Sequence, residues 1–296
     1  MMEQSCHFSK LLPRFMNRKK QLPETGNRHN VWPMTLENIF ILAVIQGITE
    51  FLPISSSGHL SLLHNVTSYP DQGVMIDVAL HAGTLLAVLA YFRADVATVL
   101  IGVWNIIRGK DGTENKLAWA MIIATMPILI GGGLLLASGY ADVLRSAQVI
   151  AWASIIFAIP LYLCDRCVID KTIADVDGRF ALWVGLSQIL ALIPGASRSG
   201  VTMTAARALG LSREDAARFS MLMACPVIFL FALAGFYDLM SAEDPGRLQD
   251  GLIAGGLAAI IAFVSIHLFI KLTKRLSFLP FVIYRIGLGT AILLFV

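Results

Sequence analysis

The chain has 296 residues, 56% of them hydrophobic and only 15% charged, with a formal net charge of +3. Soluble domains carry about 25% charged residues, so this composition points to an integral membrane protein. The small charge excess argues against a nucleic-acid partner. In chain order, the first 33 residues come first. They hold six cations (Lys10, Arg14, Arg18, Lys19, Lys20 and Arg28) and no apolar core of signal-peptide type. They read as a polar basic tail, disordered or not native, with Met34 as the alternative start. Residues 34–296 read as a single integral membrane domain. Its apolar runs cover 38–63, 74–107, 117–137, 147–164, 180–204, 215–240, 251–271 and 279–296. A helix needs about 20 residues to cross the hydrocarbon core, and runs 117–137 and 251–271 meet that simply. Arg93 and Asp95 interrupt run 74–107, which predicts a span with an extra surface turn.

Two runs fit badly as simple spans. In 38–63 and 180–204 a short apolar part meets a proline and then a Ser/Gly-rich polar patch. The segments are 46-QGITEFLPISSSGH-59 and 188-QILALIPGASRSGVT-202. Each runs Gln, apolar stretch, Pro, then S-[SR]-S-G. Interrupted segments at matching positions of two halves mark a midplane site in repeat-built membrane proteins. The expected fold is therefore an all-α polytopic membrane protein with about six transmembrane helices and two re-entrant helical hairpins. Repeat 1 covers about 38–164 and repeat 2 about 180–296, with inverted topology because three spans follow each hairpin.

The loop charges orient this arrangement. Loops 108–116, 165–179 and 271–278 carry Arg108, Lys110, Lys116, Arg166, Lys171, Arg179, Lys271, Lys274 and Arg275. Loops 138–146 and 241–250 carry only Arg145 and Arg247. The positive-inside rule then makes the first set cytoplasmic and opens the first hairpin to the outside. The same topology puts the basic tail outside, a conflict that a start at Met34 removes.

The polar patches carry the chemistry. Glu50 is an ionisable group in or near the membrane, a functional signal by default, although a solvated carboxylate at a hairpin mouth is the plain alternative. Ser55, Ser56 and Ser57 are either hydroxyls of a site or caps of a broken helix. Gly58 permits close backbone approach, and His59 lies three residues from a potential nucleophile. In the second patch Arg198 is suited to bidentate phosphate recognition, with a structural Arg–Glu pair as the alternative. Ser197, Ser199 and Thr202 add hydroxyls, and Gly195 and Gly200 open the backbone to an anion. Together these groups make a phosphate-binding and phosphoryl-transfer set in apolar surroundings, which suggests a lipid-tailed phosphate. Asp77 and His81 stand four residues apart on one helix face and read as part of the polar interior. Cys164 and Cys167 form a C-x-x-C at a helix end with no metal framework around it, and read as ordinary thiols.

These motifs identify a resemblance. The stretches 46–59 and 194-PGASRSGVT-202, with 77-DVALHAGTLLAVL-89 and 276-LSFLPFVIYRIGLG-289, resemble the undecaprenyl-diphosphatase family, also called bacitracin-resistance proteins. The likeness runs from about Met34 to Val296. It implies hydrolysis of undecaprenyl diphosphate to undecaprenyl phosphate and inorganic phosphate. That reaction regenerates the lipid carrier of peptidoglycan synthesis in the bacterial cytoplasmic membrane. It also implies that Ser56 or His59 is the phosphoryl acceptor or its activator, with His59 near enough in sequence to serve as the base and Glu50 orienting that base or holding a divalent cation, commonly Mg²⁺ or else Ca²⁺. Arg198 would neutralise the phosphoryl charge, with Ser55, Ser57, Gly58, Ser197, Ser199, Gly200 and Thr202 assisting. Many relatives have Glu where this chain has Gln46, so Gln46 is left with hydrogen bonding and Glu50 carries the acidic role.

Two rival readings fit part of the pattern. The type-2 phosphatidate phosphatases share an S-G-H and an S-R, but they need a His and an Asp soon after S-R, and this chain has neither there. A carrier-lipid transporter would use the same inverted repeat, but has no need of an acceptor–base pair. The expected partners are the polyprenyl diphosphate and the bilayer; a homodimer is compatible with the sequence.

Overall fold

The computed structural model describes residues 35–66, 72–139, 144, 146–240 and 245–295. The tail, Met34, Arg145 and the Arg247 side chain lie outside the described residues, so the readings made on them do too.

Eleven α-helices fill the described chain: α1 (Leu36–Thr49), α2 (Ser56–Val66), α3 (Gly73–Tyr91), α4 (Arg93–Ile107), α5 (Glu114–Ser138), α6 (Ala147–Cys164), α7 (Gly178–Gln188), α8 (Arg198–Ala208), α9 (Arg213–Met240), α10 (Pro245–Thr273) and α11 (Leu279–Phe295). A 3₁₀ turn, Ile189–Leu192, prolongs α7. Five helices (α3, α5, α6, α9 and α10) are long and apolar enough to cross a membrane. At 17 residues α11 reaches about 25 Å, close to the hydrocarbon thickness. With 14 residues, α1 is too short to cross, and it ends at a break rather than at a surface. Large apolar side chains such as Leu100, Trp104, Leu134, Trp152, Ile260 and Ile283 face outward. In water such a surface would aggregate; in lipid it is the expected exterior.

Run 74–107 departs from expectation. Instead of a span with an extra turn it makes two helices that meet at Phe92 (φ −97°, ψ 31°). The cause is the charge pattern. Asp95, in the first turn of α4, accepts from Arg218 Nε on α9 at 2.8 Å. Arg93 and Asp95 thus open a second helix, whose carboxylate is satisfied from α9.

The packing is crosswise between the repeats. Helix α1 of the first half lies on α10 of the second, and α7 of the second lies on α5 of the first. Between them α3 packs on α9 and on α10, and α6 on α11. The α3–α10 contact needs glycine: a Cβ on Gly83 would stand 2.0 Å from the Gly255 carbonyl oxygen. The linker between the halves is anchored by buried Asp165. It accepts from Arg213 Nε at 2.5 Å and from the Phe278 N–H at 3.0 Å. Arg207 donates to the carbonyls of Asp165 and Cys167, so the C-x-x-C segment is held by its backbone while its thiols stay free.

Candidate active site

Both α1 and the α7 turn stop at a proline-containing break, and both breaks end the same way. An offset of 142 residues matches Gln46 to Gln188, Ser55 to Ser197, Ser57 to Ser199 and Gly58 to Gly200. Ser55 (φ 72°) and Ser197 (φ 70°) are the two described non-glycine residues in the left-handed region. Such a conformation costs about 1–3 kcal/mol and persists only when its surroundings hold it. Each serine then caps the helix that follows. The Gly58 N–H donates to Ser55 Oγ at 3.4 Å, and the Gly200 N–H to Ser197 Oγ at 3.1 Å. A second hydroxyl contact closes each cap: Ser55 to Ser57 at 3.4 Å, Ser197 to Ser199 at 3.2 Å. Broken backbone is tolerated at membrane depth where it lines protein rather than lipid, and here the cap side chains satisfy it.

The breaks meet at Glu50, the last residue of the α1 turn. Arg198 Nη2 donates to Glu50 Oε1 at 2.8 Å across 148 residues of chain. Ser56 Oγ donates to Oε2 at 2.6 Å, and Gln46 Nε2 to the same oxygen at 3.0 Å. Ser56 and Arg198 are equivalent in the repeat, each the first residue of its helix. Ser199 Oγ straps the breaks together from behind, donating to the Leu52 carbonyl at 2.7 Å.

A cavity of about 260 Å³ opens over this cluster. Its polar wall is Glu50, Ser55, Ser56, Ser57, His81, Ser197 and Arg198; Val227, Ile228 and Phe231 of α9 form the apolar wall. On the other side of α9, Leu222, Cys225, Pro226, Phe229 and Leu230 line a second cavity of about 600 Å³, walled otherwise by side chains of α3, α4 and α5 that are apolar except for Thr125.

The remaining candidates stand behind or beside this wall. Thr202 is fully buried, donating to the Arg198 carbonyl at 2.8 Å and touching Ser220 Oγ at 2.6 Å, so it supports the first turn of α8. The Gly58 and Gly200 N–H groups are used by the caps. His59 lies beside the cavity. Its Nδ1 meets the Ser55 carbonyl at 2.7 Å and must therefore carry the proton; Nε2 then accepts from Tyr284 at 2.6 Å, with the two rings stacked.

His81, read from the sequence with Asp77 as part of the polar interior, stands in the cavity wall, a place its spacing alone does not assign. Its Nδ1 donates to the main-chain carbonyl of Asp77 at 2.7 Å, and its Nε2 faces Glu50 Oε2 at 3.7 Å. Phe231 packs edge-on against the ring. The available signal was a histidine inside an apolar run, which is itself a mark of function. The same signal applies to Arg285 in run 279–296.

The sequence that builds this site has known relatives. The family described as Bacitracin resistance protein BacA matches residues 39–291. This chain belongs to that family. The undecaprenyl-diphosphatase of Maricaulis maris (strain MCS10) is 48% identical over 266 residues, which covers 88% of this chain and 99% of the relative. That of Hahella chejuensis (strain KCTC 2396) is also 48% identical, over 264 residues and 98% of its length. That of Jannaschia sp. (strain CCS1) is 46% identical over 262 residues. Both broken segments fall inside the family match, and the basic tail falls outside it.

Proposed function

We propose that the chain hydrolyses undecaprenyl diphosphate at its terminal phosphate. The observation that carries this reading is the pairing of Ser56 and Arg198, equivalent positions of two repeats, with opposite oxygens of the buried Glu50 carboxylate. Arg198 is placed to hold the terminal phosphate, and the positive ends of α2 and α8 face the same cavity. The Ser56 hydroxyl, already directed at Glu50 Oε2, gives its proton to that carboxylate as Oγ attacks the terminal phosphorus. The bond from phosphorus to the bridging oxygen breaks, and undecaprenyl phosphate leaves. Water then attacks the phosphoserine, with His81 Nε2 placed to take its proton. Inorganic phosphate departs and Ser56 is reprotonated.

Among the described residues no group of three His, Cys, Asp or Glu forms a metal site. Gln46 Oε1, however, is buried without a hydrogen-bond partner beside Glu50. A carboxylate beside an amide oxygen is the hard-oxygen donor type that suits a divalent cation such as Mg²⁺. Glu50 and Gln46 would hold it, and it would offset the charge on the phosphate oxygens.

The chain sits, on this reading, in the bacterial cytoplasmic membrane with the first hairpin open to the periplasm, as the loop cations favour. It recycles the lipid carrier and thereby confers bacitracin resistance. Carrier transport is the weaker reading, because it leaves the Ser56–Glu50 pair without a use. The test is trapping. Substrate labelled in the terminal phosphate is mixed with purified protein and Mg²⁺, then quenched in acid in one arm, where a phosphoserine survives, and in alkaline detergent in the other, where a phosphohistidine survives. An acid-stable phosphoserine on Ser56 is expected. Phosphate release with no labelled protein in repeated rapid quenches, or label on His59, contradicts the serine mechanism.

A further inference from the structure

Arg285 lies in the middle of α11, 1% exposed. Each of its hydrogen-bond acceptors is a main-chain carbonyl. Nε donates to Ser154 at 3.1 Å and Nη2 to Ala153 at 3.4 Å, both on α6. Nη1 donates to Pro53 at 3.3 Å, inside the first break. Nη2 also donates to Gly195 at 3.0 Å and Ala196 at 2.9 Å, inside the second. Three of these acceptors stand within two residues of the left-handed serines, Ser55 and Ser197. In an apolar interior those carbonyls would otherwise be unpaired.

We propose that Arg285 is the positioning residue of the active site, fixing Ser56 and Arg198 in register by clamping both breaks with one guanidinium. The proposal rests on the hydrolysis reading above and assigns a role to a residue that touches no substrate. A guanidinium is a rigid planar fork, so the carbonyls it grips keep a set separation. A lysine at 285 keeps the charge but ends in a single ammonium, which cannot bridge carbonyls that lie on three elements.

Gly200 supports the assignment. A Cβ there would stand 2.7 Å from Arg285 Nη1 and 3.2 Å from Ser197 Oγ. The first turn of α8, which carries Arg198, therefore rests directly on the guanidinium, and a methyl group at 200 pushes the two apart. Next to Arg285, Tyr284 binds His59, so two successive residues of α11 reach the site.

The test compares wild type, Arg285→Lys and Gly200→Ala by phosphate release from farnesyl diphosphate with Mg²⁺. Rates are normalised to monodisperse folded protein, and unfolding temperature is recorded alongside. Displacing a reacting group by about 1 Å costs about 100-fold in rate. The clamp predicts a fall in kcat of about that size in both variants, with KM changed by less than about fivefold. A role in stability alone predicts a lower unfolding temperature with normal kcat per folded molecule, and that result overturns the proposal. If Arg285→Lys does not fold, a normal kcat in Gly200→Ala overturns it as well. A wild type that releases no phosphate sinks the hydrolysis reading instead, so the two failures are told apart.

Discussion

The two breaks share a backbone design and differ in chemistry. Both place a serine in the left-handed region, and both cap the next helix with that serine's hydroxyl. The difference lies in a few side chains. The first break presents Ser56 where the second presents Arg198, and the Glu50 position corresponds to Leu192 in the second. One copy supplies the carboxylate and the hydroxyl; the other supplies the cation. Neither break lines the cavity alone, and the crosswise packing brings the two walls together. The shared Ser/Gly pattern explains the shared caps, and the few positions that differ make the two walls of the cavity chemically unlike.

That comparison can be broken at chosen points. The largest effect is expected when Glu50 is made like its counterpart, as Glu50→Leu. This removes the base and leaves the Arg198 cation without its carboxylate. Phosphate release should fall by about 10³-fold or more, measured on detergent-purified protein. Unfolding temperature should fall too, because breaking a buried ion pair from one side costs about 3–5 kcal/mol. His81→Asn should come next. It retains a polar side chain but loses the ring nitrogen that faces Glu50. A fall of about 100-fold in the steady-state rate is expected, with phosphoserine accumulating if His81 serves the water step. A loss of phosphoserine formation instead would place His81 in the first step.

The smallest effects belong to the shared caps. Ser55→Ala and Ser197→Ala should each lower stability by about 1 kcal/mol through the lost cap. The matching glycine substitutions should cost less, since glycine accepts the positive φ and caps nearly as well. Thermal unfolding of the four variants checks this. Equal shifts at 55 and 197 support structural equivalence, and a shift at only one of them breaks it.

Much of this was legible in the sequence, because membrane physics makes polar groups conspicuous. Glu50, Arg198 and the serines stood out as costly residues in apolar runs, and the repeat told which two runs belong together. The broken helices followed from proline and Ser/Gly patches. Less legible was anything decided by three-dimensional neighbours. The helix that opens after Phe92 has its Asp95 carboxylate satisfied by Arg218, 123 residues away. The site histidines could not be sorted by spacing: His59 is nearer to Ser56 in sequence, yet its ring is taken by Ser55 and Tyr284, while His81 arrives from α3. Arg285 was visible as a cation in oil. Its purpose depends on carbonyls from two distant breaks, which no local pattern records.

The central claim is that the two breaks form one site for phosphoryl transfer. A double-mutant cycle on Ser56 and Arg198 tests it most directly, with phosphate release from undecaprenyl diphosphate as the readout. Residues that act as a unit are non-additive, so Ser56→Ala, Arg198→Ala and the double variant should have nearly the same residual rate, each reduced by about 10³-fold or more. If the two losses instead multiply in the double variant, or if either single variant retains full activity, the breaks do not act as one site and the account fails.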